Sequence, residues 1–280
     1  MSRVVNGEWV PRWTRPAAPS AILNASARDR HSLFFWSGYP RPVPGKYYVP
    51  SDARADRVAD LFATIAPRYD LINDLQSLGL HRWWKRRMIR LAQIQQSDQA
   101  LDVCCGTGDV AFQMAAAGAE VTGVDFSEPM LSVARSRGAK LGSQVRFLRG
   151  DALALPFSDS SFDVLTISYG LRNLADWEAG LKEFKRVLKP GARLLVLDFG
   201  KPDLAAWRWL YFQYLRHGVP RFGRWFFGDA DTHGYILDSL IAYPAQRGVD
   251  AGLRQLGFGE TRIFNLFGGI MAINLARKAS

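Results

Sequence analysis

Cysteine is scarce in this chain: among 280 residues there are two, Cys104 and Cys105, side by side. Neighbours along a strand point to opposite faces, so a disulfide between them would be strained. Both are therefore read as reduced thiols, which points to a cytoplasmic-type compartment. No apolar run reaches the roughly 20 residues of a membrane-spanning helix. The N-terminus holds Arg3 and Glu8 but no apolar core, so it is not a secretory signal. Metal-ligand spacings are missing, as are RNP-like and helix-turn-helix patterns; neither a metal site nor a nucleic-acid partner is expected. One long stretch lacks charge of one sign. Residues 91–134 contain no Lys or Arg, yet hold Asp98, Asp102, Asp109, Glu120, Asp125 and Glu128.

What is present is a soluble globular balance, 48% apolar and 22% charged, in a chain long enough for one large domain or two small ones. The net charge is +10, an excess that suits an anionic partner. Residues 1–50 carry seven basic and two acidic residues with many prolines. They are expected to form a low-order extension, because Pro11, Pro16, Pro19, Pro40, Pro42, Pro44 and Pro50 forbid long helices. Residues 51–280 form the main domain, with a helical cap over 51–97 and an aromatic helical insertion over 203–245.

Val58, Leu61, Phe62 and Ile65 recur at helical spacing over 53–66, and Pro67 stops that helix. A second helix is expected over 80–91. Strands are expected over 99–104, 119–124, 144–149, 161–168 and 193–199, with helices over 109–117, 127–137 and 176–188. Such alternation means βαβ units, a parallel sheet and right-handed crossovers, hence a doubly wound α/β fold. The chain closes with strands over 258–267 and 269–277 joined through Gly268-Gly269. That is a hairpin, so the last strand should run antiparallel to the rest.

The first strand leads into Asp102-Val103-Cys104-Cys105-Gly106-Thr107-Gly108-Asp109. Glycines at such a turn let backbone approach a ligand closely. Gly106-x-Gly108-x-x-Ala111, with Asp125 19 residues after Gly106, also fits a relaxed dinucleotide fingerprint, so a nicotinamide-dependent oxidoreductase competes. Charge favours a different cofactor. A pyrophosphate at this helix N-terminus would meet Asp109, with no cation in the acidic stretch to compensate. At about 4 Å such a clash costs roughly 4 kcal/mol for an effective dielectric near 20. S-adenosylmethionine carries a sulfonium and no phosphate, and gains from the same acids. Asp125, ending the second strand, should accept from the ribose hydroxyls. Asp151 and Ala152 follow the third strand and should meet the adenine. Ser168 ends the fourth, at the mouth where ligands of open α/β sheets sit.

Several segments resemble the UbiE/COQ5 C-methyltransferases of quinone biosynthesis. They are Tyr69-Asp70-Leu71-Ile72-Asn73-Asp74 with Ser77-Leu78-Gly79-Leu80-His81-Arg82-Trp83-Trp84-Lys85; Leu101-Asp102-x-x-Cys105-Gly106-Thr107-Gly108-Asp109; Ile167-Ser168-Tyr169-Gly170-Leu171-Arg172-Asn173; Arg186-Val187-Leu188-Lys189-Pro190-Gly191; and Pro220-Arg221-Phe222-Gly223. The resemblance spans roughly 52–278. It implies a class I, Rossmann-like methyltransferase with a seven-stranded, mostly parallel sheet. It also implies S-adenosylmethionine held by Asp102, Gly106, Thr107, Gly108, Asp125, Asp151, Ala152 and Ser168, and methylation of a polyprenylated quinol. Demethylmenaquinol is the first candidate acceptor and the benzoquinol of the ubiquinone pathway the second. Cys104 and Cys105 stand where the family often has Ala or Gly; as small hydrophobes they should have little effect.

For the acceptor, Arg172 is expected to stabilise a developing phenolate and Asn173 to orient the quinol oxygen. Tyr69, Asp70 and Asn73 are expected at a lid edge, and His81 is a weaker candidate base. Nine aromatics lie within 207–227, suiting an isoprenoid tunnel or an interfacial belt. Arg82, Lys85, Arg86, Arg87 and Arg90 crowd one helix around Trp83, Trp84, Met88 and Ile89. This suits peripheral contact with anionic lipid, on the inner face of a membrane. The oligomeric state is not legible, a homodimer being one option, and a non-catalytic scaffold of quinone assembly is the remaining alternative.

Overall fold

Seven apolar segments, most of them bounded by turn residues, become one sheet. In the computed structural model the described residues are 3–5, 8–10, 74, 77–221 and 231–280. The expected helix over 53–66, together with Tyr69, Asp70, Asn73, Phe222, Trp225, Phe226 and Phe227, lies outside them. The chain divides into two units, 1–42 and 43–280. In the first, Arg3–Val5 pairs antiparallel with Glu8–Val10.

The second unit begins its described part with α1 (Leu80–Ala92). Then come β1 (Gln99–Val103), α2 (Asp109–Ala116), β2 (Glu120–Asp125), α3 (Glu128–Leu141), β3 (Arg146–Arg149) and β4 (Phe162–Ser168). A 3₁₀ turn at Leu171–Asn173 leads to α4 (Trp177–Val187), β5 (Leu188–Phe199), α5 (Ala205–Gln213), α6 (Asp231–Ala242) and α7 (Ala245–Gln255). The chain closes with β6 (Phe258–Leu266) and β7 (Met271–Lys278). The strand order is β3-β2-β1-β4-β5-β7-β6. β1 to β5 pair parallel, and β7 runs antiparallel to both β5 and β6. The expected α/β class and reversed last strand are both found.

Boundaries moved where tertiary pairing overrode local pattern. β5 starts at Leu188, because that residue pairs with Phe162 before a register shift brings Arg193 beside Val164. The preceding helix therefore ends at Val187. β3 begins only at Arg146, where pairing with β2 starts at Thr122.

Alternation along the strands splits the core in two. Leu101, Val103, Leu165, Ile167, Leu194 and Val196 face α4 and α7, which contribute Leu181, Phe184, Val249 and Leu253. Ala100, Val164, Leu195, Leu197 and Ile273 face α1, α2 and α3, which contribute Met88, Met114 and Leu131. α1 buries His81, Trp84, Lys85, Met88 and Ala92, the spacing of one helical stripe. Its end is tied to the sheet by buried Arg193. That guanidinium donates to Ala92 O at 2.8 Å, to Gln93 O, and to Asp98 Oδ2 at 2.6 Å.

Removing that cation leaves Asp98 and two helix-end carbonyls without their partner. Arg193→Met is expected to destabilise the protein by about 3 kcal/mol. Exposed Arg254→Ala should change stability by less than about 0.5 kcal/mol. Urea unfolding of both variants checks this; equal midpoints would refute it.

Candidate functional site

The strand order reverses between β1 and β4, and a cavity of about 210 Å³ opens beyond their carboxyl ends, where an open α/β sheet holds its ligands. Its wall includes Cys104, Gly106, Asp125, Phe126, Met130, Asp151, Ala152, Ser168 and Asn173. Two acids and no Lys or Arg stand among its described lining residues. Asp125 is held rigidly: Oδ2 accepts from the Gly106 N–H at 2.8 Å and Oδ1 from the Ser127 N–H at 2.9 Å. Burial pushes its carboxyl above the usual range, while those amides oppose the shift. Asp151 makes a turn by accepting from the Leu153 N–H at 2.9 Å, which turns the Ala152 backbone to the cavity. Phe126 is half exposed at the rim, with the Arg149 guanidinium 5.6 Å from its ring centre.

Two glycine contacts shape the wall. Gly108 has φ 85°, and a Cβ there would come within 2.9 Å of both Phe112 and Phe147. A Cβ on Gly170 would lie 2.6 Å from Cys104 Cβ, so the β4 loop reaches the β1 loop only without a side chain. Cys104 itself sits at φ 53° and lines the cavity. Burial, then Asp125, pushes both thiols well above their usual range; both are neutral at physiological pH.

A second, smaller recess adjoins the first and shares Cys104, Gly106, Ser168 and Tyr169 with it. Lys85, Asp102, Thr107 and Asp109 also line it. Asp109 is not left uncompensated, because cations arrive from outside the acidic stretch. Lys85 Nζ lies 3.1 Å from Oδ2 and Arg137 Nη2 2.9 Å from Oδ1. Burial opposes them, but Lys85 and Arg137 hold the Asp109 carboxyl down at about 2. Asp109 therefore gives no argument against a phosphate; the larger cavity, with no Lys or Arg among its described lining residues, does. Lys85 is likewise not on the solvated basic face. It is 5% exposed, and Trp84 and Met88 beside it are buried too.

Thr107 is buried, with its Oγ1 3.0 Å from Arg137 Nη1, so it braces the loop instead of facing the larger cavity. Asp102 is 1% exposed. Its Oδ1 accepts from the Thr166 hydroxyl at 2.8 Å, while Oδ2 has no hydrogen-bond partner among the described residues. An orphaned buried oxygen in a recess is what a cationic ligand atom would satisfy. The groups present thus fit S-adenosylmethionine: acids and an apolar rim for the adenosine, an acid for the ammonium.

Arg172 stands differently from its expected role. It is 6% exposed and is not among the described lining residues of either cavity. Nη1 donates to Asp198 Oδ1 at 2.6 Å and to Tyr169 O at 2.8 Å; Nε donates to Ser239 Oγ at 3.3 Å, and the guanidinium lies 4.7 Å from the Phe199 ring centre. Asn173 does line the larger cavity, with Nδ2 donating to Tyr169 O at 3.1 Å. His81 is buried, 2.9 Å from Ser77 Oγ, and burial lowers its pKa. Sequence reasoning missed Lys85, Phe126, Met130, Arg137 and Asp198. Only Lys85 carried a signal, since it falls within the helical stripe of Trp84, Met88 and Ala92.

A family model described as the ubiE/COQ5 methyltransferase family matches residues 51–278. The ubiquinone/menaquinone biosynthesis C-methyltransferase UbiE of Azotobacter vinelandii is 39% identical over 239 residues, covering 84% of this chain and 94% of its own. The demethylmenaquinone methyltransferase of Thermus thermophilus is 42% identical over 217 residues, covering 77% and 98%. Among solved structures, a SAM-dependent methyltransferase of Thermotoga maritima, described as a possible histamine N-methyltransferase, matches with a TM-score of 0.58 at 18% identity, covering 78% of this chain and 98% of its own. One from Aquifex aeolicus gives 0.52 at 18% identity, covering 70% and 89%. At these identities the solved structures establish the fold alone.

Burial pushes Asp102 up from 3.8 to about 7, against the Thr166 hydrogen bond and Lys85. Between those values the folded state binds more protons than the unfolded one, so this residue's contribution to stability falls as the pH rises. Relative to Asp102→Asn, the ligand-free protein is expected to lose roughly 2 kcal/mol between pH 5 and pH 7. Urea titrations of both proteins at the two pH values measure this. A constant difference would disprove the shift.

Proposed function

This chain belongs to the ubiE/COQ5 methyltransferase family, and on that premise we propose that it is an S-adenosylmethionine-dependent C-methyltransferase that converts demethylmenaquinol to menaquinol. The observation that carries the reading is the acid-lined cavity, with no Lys or Arg among its described lining residues, at the switch point of a chain matched by that family from 51 to 278. A nicotinamide dinucleotide would bring a pyrophosphate to a wall with no described Lys or Arg. The benzoquinol of ubiquinone biosynthesis is the second reading, favoured by relatives named for both pathways.

S-adenosylmethionine supplies an electrophilic methyl group on a sulfonium. The chain's residues bind, orient and exclude water. Asp125 takes the ribose hydroxyls, Asp151 and the Ala152 amide take the adenine, and Phe126 and Met130 cover its faces. Ser168 stands at the junction of the two cavities and Asn173 lines the larger one, where the acceptor ring would enter. Methyl transfer would break a C–S bond of the sulfonium and leave a neutral thioether; the ring carbon that gains the methyl group would pass its proton to water, and charge on the ring oxygen would be met by the Asn173 amide. Arg172 acts as a positioning residue: through Asp198 and Tyr169 O it holds the turn that presents Asn173.

Peripheral contact with a membrane is part of the proposal. No helix among the described residues is long and apolar enough to cross one. Trp83 and Phe267 lie 6.2 Å apart with half-exposed rings, and Trp207 Nε1 donates to Phe267 O at 3.1 Å. Exposed Arg82, Arg86 and Arg90 share α1 with Trp83. Aromatic rings beside arginines suit an anionic headgroup layer from which a polyprenyl quinol is drawn.

Asn173→Ala is expected to lower kcat about a hundredfold with cofactor affinity within twofold. Single-turnover methylation of a short-chain demethylmenaquinol beside calorimetry checks this; unchanged turnover would remove the role. In a deletion strain, accumulation of demethylmenaquinone supports the first acceptor. Accumulation of the unmethylated benzoquinone supports the second.

A further inference from the structure

Lys85 is unusual among the 36 basic residues. It is the one Lys or Arg among the described lining residues of either cavity, and it is 5% exposed. A buried ammonium carries three N–H donors, and a single acceptor for it is described, Asp109 Oδ2 at 3.1 Å. Asp109 has a second cation as well, Arg137 Nη2 at 2.9 Å from its other oxygen. Across the same recess stands the orphaned Oδ2 of Asp102. A buried cation with donors to spare and a buried carboxyl with an unfilled oxygen complement an α-amino acid zwitterion. The recess, of about 20 Å³, lies against the larger cavity and shares Cys104, Gly106, Ser168 and Tyr169 with it as a common wall.

We propose that Lys85, delivered by the cap helix α1, binds the α-carboxylate at the amino-acid end of the cofactor, opposite the ammonium at Asp102. This rests on the methyltransferase reading and adds a binding residue to it. The geometry gives α1 a purpose beyond packing. Arg193 anchors its last turn to the sheet, and Trp84 and Met88 bury its inner stripe. Together they hold Lys85 at the lip of the Gly106 turn. A Lys85 that merely neutralised Asp109 and Asp102 would affect every adenosine ligand alike.

The test is calorimetric titration of the full chain with three probes: S-adenosylhomocysteine, its decarboxylated analogue S-adenosyl-3-thiopropylamine, and 5′-methylthioadenosine, which lacks both end groups. The wild type should bind S-adenosylhomocysteine about tenfold to a hundredfold tighter than the decarboxylated analogue. Lys85→Met should abolish that preference while leaving the other two affinities within twofold, and Lys85→Arg should retain part of it. A wild type that does not distinguish the first two probes overturns the proposal without any variant. So does a Lys85→Met protein that weakens all three equally or keeps the preference. If the wild type binds none of the three, the cofactor reading itself falls, a result distinct from binding without discrimination.

Discussion

Asp102 sits where β1 hands over to the glycine turn, with 1% of its surface exposed. One oxygen is held by Thr166 on the neighbouring strand and the other has no described partner. A buried carboxylate with an unfilled acceptor is expensive, of order 1–3 kcal/mol or more, and the fold keeps it at the one point where the strand order reverses. The neighbouring groups follow from that placement. Gly106 and Gly108 let the turn pass close to it, Asp125 clamps the turn's first amide, and Lys85 brings the compensating charge from the cap helix. A ligand with a cationic end would offset that burial cost.

The two cavities divide a single electrostatic task. The larger has acids, an aromatic rim and no described cation, which suits an uncharged nucleoside beside a sulfonium and repels a pyrophosphate. The smaller pairs one acid with one base, which suits a zwitterion. Asp109 stands outside this division. Lys85 and Arg137 satisfy it, and it serves to hold α1, α2 and α3 in register around the turn.

Arg172 illustrates how a motif can be right while its reading differs. Arg172-Asn173 stands at the mouth of the site, yet the guanidinium turns inward to Asp198 and Ser239, joining β5 and α6 to the β4 turn. Asn173 alone of the pair faces the cavity. Arg186 shows the same economy: it links Asp159, Glu183 and the carbonyls of Leu155 and Phe157, so this part of the resemblance is a brace for the loop after Asp151.

The doubly wound class, the glycine turn, Asp125, Asp151 and the reversed last strand were legible because each depends on near neighbours in sequence: period-2 and period-3.6 patterns, turn glycines, and acids at strand ends. What was not legible depends on pairs distant in sequence. Lys85 reaches Asp109 across 24 residues, and Arg172 reaches Asp198 across 26. Composition and motif spacing settled which chemistry could be assembled at the edge of the sheet. Packing settled which charges line the cavities and which face each other, because an ion pair forms by proximity in space, and proximity across a crossover does not follow from spacing along the chain.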